Sequence, residues 1–222
     1  HADHAGGAAA TNPTWIGNIS GSANAGGSHG GLGYAPGGKP QDVYGDFRFP
    51  VLPGRGGSTA GCNYSVGGWN PKDVIQCKTE AGRGGGVVSI EASLNVNLHG
   101  RVSANGHGAN TATDGWRSVV KYPNVYSGGA GGSVRISAPT ITGTGKVSAL
   151  GGVGRQQSGV KPGGGGGRVA FLNYANMSEG FAPVSLLNHV SAAGGYSPAY
   201  GKFPAMYSGA GTIYLQRQGQ KW

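Results

Sequence analysis

Two phrases recur together in this chain, and they constrain its fold more than any other feature. The first is Val-Ser-Ala followed by small residues: Val102-Ser103-Ala104-Asn105-Gly106, Val147-Ser148-Ala149-Leu150-Gly151-Gly152 and Val190-Ser191-Ala192-Ala193-Gly194-Gly195. The second is a glycine run that feeds an alternating apolar strand. It reads Gly84-Gly85-Gly86-Val87-Val88-Ser89-Ile90, then Gly131-Gly132-Ser133-Val134-Arg135-Ile136, then Gly166-Gly167-Arg168-Val169-Ala170-Phe171, and last Gly209-Ala210-Gly211-Thr212-Ile213-Tyr214-Leu215. A spacing of roughly 35–46 residues falls in the range of stacked or arrayed architectures. Strands of about five residues joined by very short corners do not make long hairpins. They suit a chain that winds, so that each strand lies on its counterpart one turn later.

Composition decides whether such a chain can fold at all. Glycine is 48 of 222 residues, about three times the usual share of roughly 7%. Hydrophobic residues still make up 37% and sit in strand-like runs between the glycines, so a core can form. Collagen is excluded because no Gly-X-Y register is kept. Helical periodicity never lasts: the longest candidate, 176–187, is interrupted by Gly180 and Pro183.

The expected fold is therefore all-β, a parallel β-helix or β-solenoid with glycine-rich insertions; an antiparallel β-sandwich is the alternative. Inward residues would be Val88, Ile90, Val134, Ile136, Val169, Phe171, Ile213 and Leu215, with Val102, Val147 and Val190 in a second column. The chain divides near residue 80. Residues 1–80 are expected to be an irregular, aromatic-rich capping segment and 81–222 the repeat. Within the first part, Cys62 and Cys77 are expected to pair, closing a loop of about 14 residues worth about 3 kcal/mol in the chain-entropy account.

The formal charge is +9, carried by basic residues that look singly scattered, with no nucleic-acid motif and no apolar run long enough for a membrane span. A diffuse positive surface attracts anions at long range. The expected partners are thus an anionic polysaccharide or an anionic cell surface, and not nucleic acid.

Catalytic residues cannot be assigned. The eight carboxylates include Asp42 and Asp46, four apart but with no helix to bring them together. Asp46 is expected to bond backbone within its turn, and His29, flanked by glycines, to bond passing backbone. No metal site and no cofactor is expected. Aromatics outside the strand columns are the binding candidates, Trp15, Tyr34, Trp69, Trp116, Tyr196 and Tyr200 among them. They can stack on sugar rings, or equally cap the fold. What repeats reads as core and corner, which places binding in the parts that do not repeat.

The order of these motifs, from the GGSHGGLG stretch through VYGDFRFP, GGGVVSIEA, VSANG, GGSVRISA and VSALGG to GGGGGRVAF, resembles the glycine-rich repeat regions of large secreted or cell-surface, adhesin-like proteins. The resemblance implies an extracellular β-helix with a structural or adhesive role, and it brings no catalytic residues. The functional expectation is an extracellular module that self-associates head to tail into a filament or matrix and contacts polysaccharide. A carbohydrate-active enzyme, such as a lyase on an anionic polysaccharide, is the alternative.

Overall fold

The computed structural model describes residues 25–35, 39–58, 63–65, 74–76, 81–109, 127–154, 162–199 and 204–220. The first strands, β1 (Asn63–Ser65) and β2 (Val74–Gln76), pair antiparallel. Cys62 and Cys77, with the disulfide expected of them, lie outside the described residues. Next come β3 (Val87–Glu91), β4 (Asn95–Asn97) and β5 (Arg101–Ser103), then β6 (Ser133–Ser137), β7 (Thr140–Thr142) and β8 (Lys146–Ser148). A third set holds β9 (Arg168–Tyr174), β10 (Asn176–Met177), a helical turn at Glu179–Phe181, the one-turn helix α1 (Leu186–His189) and β11 (Val190–Ser191). The chain closes with β12 (Tyr196–Ser197), β13 (Met206–Tyr207) and β14 (Thr212–Arg217).

Among the described residues these strands form three parallel sheets, ordered β14-β9-β6-β3, β10-β7-β4 and β11-β8-β5. β12 and β13 form a second antiparallel pair. The expectation of an all-β parallel β-helix is corrected by this structure. The sheets are small, built of strands two to seven residues long. Two helical segments interrupt the third set, and the glycine-rich stretches between sheets form no strands. The sandwich alternative fails as well, because among the described residues antiparallel pairing is confined to the two short pairs.

Alternation along the strands explains the core. Successive side chains of a strand point to opposite faces, so Val134, Ile136, Val169 and Phe171 turn inward and are fully buried. Parallel register sets Val88, Val134, Val169 and Ile213 side by side, and Ile90, Ile136, Phe171 and Leu215 likewise. In the third sheet Val102, Val147 and Val190 pair in the same way. The helical turns belong to this core too. Phe181 is fully buried with its ring centroid 5.9 Å from that of Phe171, and Leu186 packs beside it.

The glycine stretches satisfy their backbone differently. In 128–132, Gly128 and Gly131 donate to Pro162 and Gly165, Gly129 and Gly132 donate to His107 and Ala104, and Ala130 donates to Arg55. Direction thus repeats every third residue, as in a left-handed threefold extended helix, which has no internal hydrogen bonds. The stretch 164–167 behaves alike: Gly164 and Gly167 donate to Gly152 and Ala149, Gly165 to Gly27, and Gly166 to Gly209. Each segment is bonded to several neighbours at once, so neighbours crowd it from several sides. A Cβ on Gly131 would sit 2.1 Å from the Ala149 oxygen and 2.6 Å from the Gly167 nitrogen.

This layer accounts for the joint recurrence of the two phrases. The carbonyls of Ala104, Ala149 and Ala192, each closing a Val-Ser-Ala phrase, accept from Gly132, Gly167 and Gly211 at 2.7, 2.8 and 2.8 Å. Those glycines immediately precede β6, β9 and β14. One phrase supplies the acceptor and the other the donor.

Candidate functional site

Residues 39–58 run over the outer face of the first sheet. Ser133 Oγ donates to the Leu52 carbonyl at 2.6 Å, and the Arg135 guanidinium lies 4.3 Å from the Phe49 ring centroid. Phe47 meets Tyr214 edge-on, and Gly54 and Gly57 donate into the glycine layer at Gly85 and Gly82.

Beneath this strap is a buried polar node. Arg168, only 6% exposed, donates from Nε and Nη2 to the Tyr44 carbonyl at 3.1 and 2.8 Å, and from Nη1 to Thr212 Oγ1. His29 is fully buried, with its ring 4.8 Å from that of Tyr44, and its Nδ1 donates to the Gly131 carbonyl at 2.9 Å. Its Nε2 has no hydrogen-bond partner among the described residues. Burial, aided by the Arg168 charge, lowers its pKa to about 4, against the opposing pull of the Gly131 carbonyl. Burial also raises the Tyr44 phenol well above its ordinary value. The node holds strap to sheet, and its burial keeps it from solvent.

Asp46 accepts from the backbone nitrogen and guanidinium of Arg48, whose side chain holds its carboxyl below the usual range. Glu91 pairs with Arg135 at 3.4 Å.

The aromatic binding candidates are not brought together. Tyr34 sits half-buried against the glycine layer, its backbone donating to the Gly163 carbonyl and to Ser208 Oγ. Tyr196 is 44% exposed, 6.2 Å from the more exposed Tyr207. Trp15, Trp69, Trp116 and Tyr200 lie outside the described residues.

A different surface has the shape of a site. With Val102, Val147 and Val190 turned inward, their strand neighbours must turn outward. Arg101 stands opposite Lys146, Ser103 opposite Ser148, and Ser148 opposite Ser191. His189, which ends α1 just before β11, borders this row; its Nδ1 donates to the Gly145 carbonyl at 2.8 Å and its ring packs 6.1 Å from that of Phe181. Arg101, Lys146, Ser148, His189 and Ser191 line an open cleft of about 200 Å³, flanked by Leu150 and Leu187. Asn105 braces its edge by accepting from the Leu150 backbone nitrogen at 2.9 Å.

Among the described residues no carboxylate lines the cleft. Like charges directly opposite on neighbouring strands repel, and neither Arg101 nor Lys146 has an ion-pair partner among the described residues. Chemically the cleft is a set of donors and positive charges, able to hold an anion.

Reading the basic residues one at a time hides this arrangement. The signal is nonetheless in the repeat, for a basic residue precedes the valine in all three phrases: Arg101-Val102-Ser103, Lys146-Val147-Ser148 and His189-Val190-Ser191.

No family model, curated protein or solved structure matches this chain. No helix among the described residues is long and apolar enough to cross a membrane.

Proposed function

We propose that this chain is a structural or adhesive module of the extracellular space that associates head to tail with copies of itself. The observation that carries this reading is the pair of sheet rims to which no further strand is paired among the described residues. All three parallel sheets begin at an edge strand drawn from 87–103, namely β3, β4 and β5, and end at β14, β10 and β11.

Edge strands present backbone groups ready to pair with another chain. Ala92 donates to Ser137 on β6, so by alternation the N–H groups of Ser89 and Glu91 face away from β6. Val88, Ile90, Val96 and Val102 at one rim are only partly buried, as are Met177, Ile213 and Leu215 at the other. A second copy would cover them while continuing each sheet in parallel. Because the two rims differ, the contact is heterologous and propagates unless its rotation closes a ring. The extracellular placement follows the resemblance to secreted and cell-surface repeats.

Sedimentation velocity over a concentration series tests the reading. Mass should grow in multiples of the chain, and Ser89→Pro should shorten the species while leaving the monomer folded, since proline is tolerated on an edge whose N–H faces outward. A strict monomer at high concentration, or assemblies indifferent to Ser89→Pro, overturns it.

A further inference from the structure

We propose that the outer face of the β11-β8-β5 sheet is a binding site for an acidic polysaccharide, with the paired cations Arg101 and Lys146 meeting anionic groups along the polymer and His189 bordering them. The proposal deepens the adhesive reading and rests on it for the kind of partner; it does not depend on self-association.

The sequence places a basic residue (Arg, Lys or His), an inward valine and an outward serine in each of three phrases. Parallel pairing turns that repetition into geometry, because Arg101 and Lys146 are direct partners, as are Val147 and Val190. Neighbouring strands lie about 4.8 Å apart, so a cleft lined by residues of all three strands extends about 10 Å. That span exceeds one small anion and suits a polymer bearing charge at regular intervals.

The rest of the lining fits such a chain. Ser148 and Ser191 offer hydroxyls beside the charges, and the amide nitrogen of Asn105 remains able to donate because its oxygen is taken by Leu150. Leu150 and Leu187 give the apolar faces of sugar rings a surface. The cleft is open, so a long polymer can cross it without an end entering. Single-stranded nucleic acid is held on aromatic stacking platforms beside its charges, and among the described residues no Phe, Tyr or Trp lines the cleft.

The rival explanation for any polyanion binding is the chain's overall charge of +9. The test therefore compares three proteins by calorimetry at constant ionic strength and at a chain concentration where sedimentation shows monomer. These are the unmodified chain, the double variant Arg101→Gln with Lys146→Gln, and the control pair Lys39→Gln with Arg217→Gln, which removes the same charge elsewhere. Polygalacturonate supplies carboxylates, dextran sulfate supplies sulfates, and neutral dextran serves as blank.

The unmodified chain should bind at least one of the two polyanions, and the double variant should weaken that binding at least tenfold while the control pair changes it less than threefold. Binding to polygalacturonate alone assigns the site to carboxylates, to dextran sulfate alone assigns it to sulfates, and to both assigns it to charge spacing. Absence of binding to either, or equal weakening by the control pair, overturns the proposal. Binding that persists in Ser89→Pro separates this result from any failure of self-association.

Discussion

The sheets and the glycine layer satisfy the same backbone by opposite means. In the sheets, backbone bonding leaves two faces, and stability comes from what fills the inner one: Phe171, Ile136, Val169 and Phe181, all fully buried. In the glycine layer, bonding in several directions leaves no face free, and stability comes from having almost nothing to place there. One region is held by side chains and the other by their absence. The two should therefore respond in opposite senses to the gain or loss of a few carbon atoms.

The largest expected effect is in the sheets. Phe171→Ala removes a ring packed against Phe181 and should cost about 3–5 kcal/mol in urea unfolding. A loss under about 1 kcal/mol would mean that the layer, and not the apolar core, dominates stability.

A pH effect should come next, from His29, which ties the polar node to the layer at Gly131. Folded His29 takes its proton only near pH 4, whereas unfolded it does so near 6.5. Between those values the unfolded chain binds more protons, so stability falls as pH drops from about 6.5 to 4 and levels off below. The full change is about 3 kcal/mol. In His29→Asn, whose amide can still donate to Gly131, thermal melts across that window should lose most of this dependence. An unchanged pH profile would remove His29 from the account.

The smallest contrast is the sharpest, because it lies between adjacent residues. Gly131→Ala forces a methyl against the Ala149 oxygen and should cost about 1–3 kcal/mol. Ala130 already carries a buried methyl, and Ala130→Gly should cost only about 1 kcal/mol. Equal tolerance at 130 and 131 would show that the layer relaxes freely, and the distinction from the sheets would collapse.

Much of the core was legible in the sequence, for a physical reason. Alternation in Ser133-Val134-Arg135-Ile136-Ser137 assigns faces without knowledge of any partner, and the repeated Val-Ser-Ala phrase names the valines that pair. The helical turns were not legible. Gly180 and Pro183 read as breakers, yet the chain turns between and after them to insert Phe181 and Leu186 into the core.

The layer was hidden too, because glycine carries no side chain to reveal which way its N–H points. That hidden bonding is why the fold reading stopped at strands and corners. The cationic cleft lay in plain view in the residue before each valine. Taken singly, the basic residues look like solitary charges and the repeat like core alone; only strand pairing sets Arg101 beside Lys146.

The bonds from Gly132, Gly167 and Gly211 to Ala104, Ala149 and Ala192 have an evolutionary consequence. They set register at both ends of each intervening stretch, so the length of that stretch is largely free to drift. The stretch from Ala104 to Gly132 is indeed longer than those from Ala149 to Gly167 and from Ala192 to Gly211. Loop-closure entropy charges only about 0.6 kcal/mol for each doubling of a flexible connection. Insertions there are cheap experiments, in which a lineage can acquire new surface while three short hydrogen bonds keep the rest of the molecule in place.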